Sequence, residues 1–302
     1  LLLEVMREHQ RSEEIARVSF LAVWYLMRTS AQMSPGTRVG CRWKSMAGAF
    51  YNATIASLND DGTYVIHYED GDQDASVSLN RLRNDEMPRI FQESGGIPLL
   101  LEMLEEHGER SADVAKNGLG VLKNLSTNDD IKKRIAEAGG IGMILRMMEV
   151  YGASDAVVAE DGCAALKSLA CNDNNIRNSI AEAGGIEMIV SVMKKHGESN
   201  AEFAKQGCWA LQNLARGNAD IKIRIAEAGG IAMILSMIQV HGESSSVVAE
   251  QGCAALWNLI ADAPTVEIFG ETGSINAENK RKILAANGES LVERMKSTWA
   301  SN

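Results

Sequence analysis

The sequence predicts an all-α solenoid of stacked helical repeats, interrupted once by a small all-β barrel. A Gly-Gly-Ile turn recurs at Gly95-Gly96-Ile97, Gly139-Gly140-Ile141, Gly184-Gly185-Ile186 and Gly229-Gly230-Ile231, at intervals of 44, 45 and 45 residues. A second glycine keeps the same period at Gly118, Gly162, Gly207 and Gly252. Between residues 34 and 84 the helical pattern gives way to short β-like runs, separated by Asn59-Asp60-Asp61-Gly62 and Glu69-Asp70-Gly71-Asp72. A turn returning at so long and regular a period marks a repeat array, in which each unit buries its apolar face only against its neighbours. Function is then expected on a surface rather than in a catalytic pocket.

Taken in order, residues 1–32 read as the C-terminal part of a first repeat. Leu1-Leu2-Leu3-Glu4 matches Leu99-Leu100-Leu101-Glu102, and Val23-Trp24-Tyr25-Leu26 matches Leu256-Trp257-Asn258-Leu259. Strands are expected at 37–44, 50–58, 63–68 and 75–79, bordered by Pro35 and Pro88, with Pro88 suited to the first turn of the next helix. The barrel (34–84) replaces a short linker between two helices, which an array tolerates because loop-closure cost grows slowly with length.

Four repeats follow over 85–263, each expected to hold three helices, for example 130–138, 141–151 and 200–216. The Gly-Gly turn supplies the left-handed conformation that closes a helix. Second helices end at His107-Gly108, Tyr151-Gly152, His196-Gly197 and His241-Gly242, where the histidines read as caps of their own helix ends rather than metal ligands or bases. The mid-helix glycine costs about 1 kcal/mol relative to alanine, so its return in four units predicts close helix approach. Residues 264–277 read as a loop insertion and 278–302 as a partial final repeat, so the chain reads as a fragment of a longer protein.

A net charge of -10 argues against phosphate-rich partners, nucleic acid or an anionic membrane surface, and favours basic ones. The barrel alone, with five basic and six acidic side chains, has no nucleic-acid patch by charge. No apolar run approaches the ~20 residues of a membrane span. Cys163, Cys208 and Cys253 recur at one repeat position, too far apart for disulfides, as small packing residues would. A reducing cytoplasmic or nuclear compartment is expected. The sequence carries no phosphate loop, Cys-x-x-Cys pair, His-Glu-x-x-His or nucleophile elbow, so neither an enzyme nor a cofactor is expected.

A short helix, Gly-Gly-Ile, a second helix and a third helix ending Ala-Leu-x-Asn-Leu resembles the armadillo repeat, with that last motif in Val121-Leu122-Lys123-Asn124-Leu125, Ala210-Leu211-Gln212-Asn213-Leu214 and Ala255-Leu256-Trp257-Asn258-Leu259. The resemblance implies a right-handed superhelix whose third helices line a concave groove for an extended peptide. Asn124, Asn213 and Asn258, with Ser168 at the remaining position, would form the ladder that pairs with a peptide backbone, since an amide offers both donors and an acceptor. The competing reading has each Asn tie neighbouring helices together. Trp209 lies one turn before Asn213, a pair that resembles the importin-α groove, and Trp257 stands beside Asn258; a single Trp-x-x-x-Asn pair in four units does not make a nuclear-signal receptor.

The insert resembles a Tudor domain in Arg42-Trp43-Lys44, the run 50–55 and His67-Tyr68-Glu69-Asp70-Gly71-Asp72. That likeness implies an aromatic cage for methylated lysine or arginine, with Trp43, Tyr51 and Tyr68 as walls and Asp72 as its polar member. The match lacks an aromatic shortly after Tyr68, and the alternative is that these rings form the barrel's own core. Together these readings describe an adaptor or scaffold that takes a basic peptide in its groove and makes a second contact through the insert. A methyl-mark reader and a structural spacer within a larger polypeptide are the other two readings.

Overall fold

The computed structural model describes residues 2–28, 38–42, 50–59, 63–77, 82–84, 86–217 and 219–260. The expected loop at 264–277 and partial repeat at 278–302 lie outside them.

Helix α1 (Leu2–Glu8) packs on α2 (Glu13–Arg28), and four three-helix units follow the insert. They are α3 (Glu86–Glu93), α4 (Gly96–His107) and α5 (Ala112–Leu125); α6 (Asp129–Glu137), α7 (Gly140–Tyr151) and α8 (Ala156–Leu169); α9 (Asn174–Glu182), α10 (Gly185–His196) and α11 (Ala201–Ala215); and α12 (Ala219–Glu227), α13 (Gly230–His241) and α14 (Ser246–Ile260). Asn128 and Asp173 cap α6 and α9 by accepting two amide bonds each, and Asp155 does the same for α8. Pro88 sits in the first turn of α3, where its missing N–H costs nothing. One continuous apolar core runs from Met6 in α1 to Leu259 in α14.

The two glycines of each turn do different work. Gly95, Gly139, Gly184 and Gly229 adopt φ between 76° and 85°, the left-handed region that a side chain resists. The glycine after each has ordinary helical geometry but no room, since a Cβ on Gly185 would lie 2.5 Å from Ile180 Cγ2. The periodic mid-helix glycines behave as expected of close approach. A Cβ on Gly118, Gly162, Gly207 or Gly252 would lie 2.5–2.6 Å from Leu104, Met148, Met193 or Ile238 on the second helix of the same unit. Third helices therefore sit directly against second helices and also stack on one another, α2 on α5, α5 on α8, α8 on α11 and α11 on α14.

The histidine expectation is corrected. His196 Nε2 meets Gly152 O at 2.7 Å, His241 Nε2 meets Gly197 O at 2.7 Å, and His107 Nε2 meets Gln10 O at 2.6 Å. Tyr151 takes the same part, its hydroxyl donating to Glu109 O at 2.8 Å. Each ring satisfies a carbonyl at the end of the preceding repeat's second helix, not its own. An imidazole extends away from its own helix end, and stacking brings the neighbour's orphan carbonyls within reach. These contacts lock the repeats in register.

The insert is a five-stranded antiparallel sheet in the order β4-β3-β2-β1-β5, formed by β1 (Arg38–Arg42), β2 (Phe50–Leu58), β3 (Tyr64–Tyr68), β4 (Gln73–Val77) and β5 (Leu82–Asn84). Expected closure into a barrel is not found among the described residues. Among the described residues the three-residue β5 pairs with β1 alone, and β4 with β3 alone, so both are edges of this sheet. The strand expected at 75–79 begins earlier, at Gln73, because the preceding turn is tight. The Tyr68 amide donates to Asp72 O at 2.8 Å, and Gly71 takes φ 96°. A β-bulge between Ile55 and Ser57 offsets the β2–β3 register. The sheet has a separate small core of Ala53, Ile55, Tyr64, Ile66, Tyr68 and Val77.

Candidate functional site

The candidate surface is the row of third helices. Trp209 and Asn213 share one face of α11 by their four-residue spacing, and both engage Lys167, one repeat back on α8. The Lys167 ammonium lies 4.4 Å from the Trp209 ring centroid and donates to Gln206 Oε1 at 2.8 Å. Asn213 Nδ2 donates to the Lys167 main-chain carbonyl at 2.9 Å. Gln206 is itself oriented by its Nε2, which donates to Glu202 Oε1 at 3.0 Å, and Lys205 pairs with the same carboxylate. Burial, reinforced by the neighbouring charges of Lys205 and Lys123, pushes the Lys167 pKa down to about 8.

One repeat earlier the same position carries Lys123, which pairs with the largely buried carboxylate of Asp161 on α8. Beside it, burial and the charges of Glu202 and Asp161 raise the pKa of Glu160. The two joints on either side of α8 thus bring three carboxylates, Glu160, Asp161 and Glu202, near three lysines, Lys123, Lys167 and Lys205.

The remaining ladder positions are uneven. Asn258 Nδ2 donates to Gln212 O at 3.1 Å, the same inter-helix bond that Asn213 makes. Asn124 is half-buried, and among the described residues its buried Nδ2 has no hydrogen-bond partner. Ser168 is half-buried, and Trp257 is 67% exposed on α14. So Asn213 and Asn258 spend one donor on holding their own helices together, as the competing reading had it. Sequence reasoning missed Lys167, Gln206, Lys123 and Asp161. Their signal was there in principle, since Lys123 and Lys167 occupy one repeat position immediately before the ladder residue.

Of the expected cage, Trp43 and the side chain of Tyr51 lie outside the described residues. Tyr68 is buried in the sheet's core beside Tyr64, at 6% and 3% exposure. Asp72 is exposed in the turn, where its amide donates to Asp70 Oδ1 at 3.1 Å. The described residues do not assemble a cage.

Other chemistry is sparse. Buried Cys163 and Cys208 have thiols pushed up to about 12 by burial, which leaves them protonated and poor nucleophiles. Among the described residues no three His, Cys, Asp or Glu side chains are placed to hold a metal ion. No single described helix is long and apolar enough to cross a membrane.

No protein-family model matches the chain, and no curated protein sequence does. Solved structures do. A designed armadillo repeat protein in complex with the peptide (KR)4 superposes with a TM-score of 0.57 at 20% identity, covering 70% of this chain and 79% of that one. A second designed armadillo repeat protein gives a TM-score of 0.57 at 22% identity over the same shares of the two chains. An engineered protein gives 0.52 at 23% identity, over 70% of this chain and 84% of its own. At these identities the likeness is one of fold, and the helical part of the chain has the armadillo-repeat fold.

Proposed function

We propose that this chain is a non-enzymatic adaptor or scaffold that binds an extended, basic peptide segment along its row of third helices. The observation that carries the reading is the Trp209–Asn213 pair. Within the protein it already holds a lysine, with an ammonium over the indole and a main-chain carbonyl on the amide. Those are the two groups a basic extended peptide repeats. The carboxylates Glu160 and Glu202 beside it supply the complementary charge, and the raised pKa of Glu160 marks a carboxylate that an incoming cation would stabilise. A designed protein of the same fold was solved with (KR)4. On this reading Asn124, Ser168, Asn213, Trp257 and Asn258 continue the groove on either side. The insert, which we assign to the Tudor type from its sequence, provides a second protein contact. Free cysteines at 163, 171, 208 and 253 accord with a reducing cytoplasmic or nuclear setting.

Isothermal titration of the full chain with (KR)4 and with the acidic peptide (DE)4 tests the reading. Saturable binding of the basic peptide alone, weakened about tenfold or more by Asn213→Ala, is expected by analogy with the loss of a central interface contact. Equal binding of both peptides, or of neither, would overturn it.

A further inference from the structure

The Trp209 seat is not vacant. We propose that Lys167 is a specificity-determining residue of the groove: it holds the Trp209 seat as a resident ligand, and a basic side chain of a bound peptide enters that seat only by expelling it. The inference rests on the peptide-groove reading above.

Three features make Lys167 an occupant rather than a fixed structural cation. Its ammonium rests on an indole face and one neutral amide oxygen, and among the described residues no carboxylate pairs with it directly. Lys123 at the equivalent position has such a carboxylate in Asp161. The charged groups around Lys167 are divided, Lys123 and Lys205 repelling it and Glu202 attracting it, and burial disfavours its charge. Finally, its main chain is held separately by Asn213. The four-carbon stem can therefore swing out while α8 and α11 stay joined, and the side chain has the rotamer freedom to do so.

A resident cation reduces the apparent affinity for a competing one, because the open seat is only a fraction of the population. It also filters ligands. A peptide that offers no cation at this repeat gains nothing from displacing Lys167, whereas one that offers an arginine replaces a desolvated ammonium with a weakly hydrated guanidinium that stacks well on indole.

Lys167→Met keeps the unbranched apolar stem and removes the charge and the donor. The test is the Kd of fluorescein-labelled (KR)4 by polarisation on the full chain, with Lys167→Gln as a second variant and circular dichroism to verify folding. Both variants should bind about three- to thirty-fold more tightly than the unaltered chain, the span of one cation–π contact. That gain should vanish in Lys167→Met/Trp209→Ala. Unchanged or weaker binding by both variants, while Trp209→Ala still weakens the unaltered chain, overturns the inference and leaves the groove reading standing. Absence of binding in every variant overturns both. A second readout needs no peptide: the Trp209 indole N–H resonance should move in Lys167→Met, and an unmoved resonance contradicts the stacking on which the inference stands.

Discussion

Two neighbouring joints of the same array place a lysine at the same repeat position and treat it differently. Between α5 and α8, Lys123 meets Asp161, and charge is neutralised within the protein. Between α8 and α11, Lys167 meets Trp209 and Gln206, and its charge is left to an indole face and an amide dipole. The substitution that makes the difference is small, Asp161 in one repeat and Gln206 in the next. The first joint closes on an ion pair, and the second leaves its ammonium between a ring and an amide, the feature on which the peptide-groove proposal rests.

Removing the carboxylate should erase the contrast. Asp161→Ala leaves the Lys123 ammonium part-buried without a partner and should cost about 1–3 kcal/mol in urea unfolding, less than a fully buried pair would because Lys123 keeps some solvent. A loss below about 0.3 kcal/mol would show the pair to be incidental.

Alkaline pH should then distinguish the joints. Lys167 titrates near 8 in the folded chain and near its ordinary value of about 10.4 when unfolded. Between those values the unfolded chain binds more protons, so stability should rise with pH from about 8 to about 10.4. The rise is on the order of 1–3 kcal/mol, absent below the folded pKa and complete above the unfolded one. Urea midpoints at pH 7.5 and 10 in the unaltered chain and in Lys167→Met measure it. The stability of the unaltered chain relative to Lys167→Met should rise between the two pH values, and a constant difference would contradict the assigned cause. Gln206→Asp, which copies the first joint into the second, should stabilise the chain at pH 7 by about 0.5–1 kcal/mol and abolish that alkaline rise.

The ladder gives a further contrast, and at Asn124 the smallest effect. Asn213→Ala removes the bond to Lys167 O and should cost about 0.5–1.5 kcal/mol. Asn124→Ala removes a buried donor that has no partner among the described residues, and should leave stability within about 0.5 kcal/mol of the unaltered chain or raise it. Equal losses at the two positions would mean that the amide's hydrogen bond does not set its worth.

The array was legible in the sequence because its geometry depends on positions that favour glycine over any residue with a side chain. A left-handed turn at Gly139 and a Cβ-free contact between Gly162 and Met148 leave a fixed period behind them. Contacts between repeats were less legible. His196 was assigned to its own helix end because sequence shows neighbours along a helix, whereas its partner, Gly152, is a neighbour only after stacking. Lys167 on Trp209 was missed for the same reason. Trp209 and Asn213 announce themselves by their spacing on one helix, whereas a lysine one repeat earlier reaches them only across the joint. In the insert, β2 matched its expected span, while three-residue β5 carries too short an alternation to register as a strand. Tyr68 illustrates an ambiguity of strands: alternation puts Tyr64 and Tyr68 on one face, but burial alone tells that the face is the core.

The central claim is that the Trp209–Asn213 joint receives a basic peptide. The chain has five tryptophans, so indole N–H resonances of a nitrogen-15-labelled sample report where a ligand lands. Titration with (KR)4 should move the Trp209 resonance to saturation at the same peptide concentration as the calorimetric binding curve, and Asn213→Ala should shift that concentration upward. A saturating calorimetric curve with the Trp209 resonance unmoved would place the peptide elsewhere and contradict the claim.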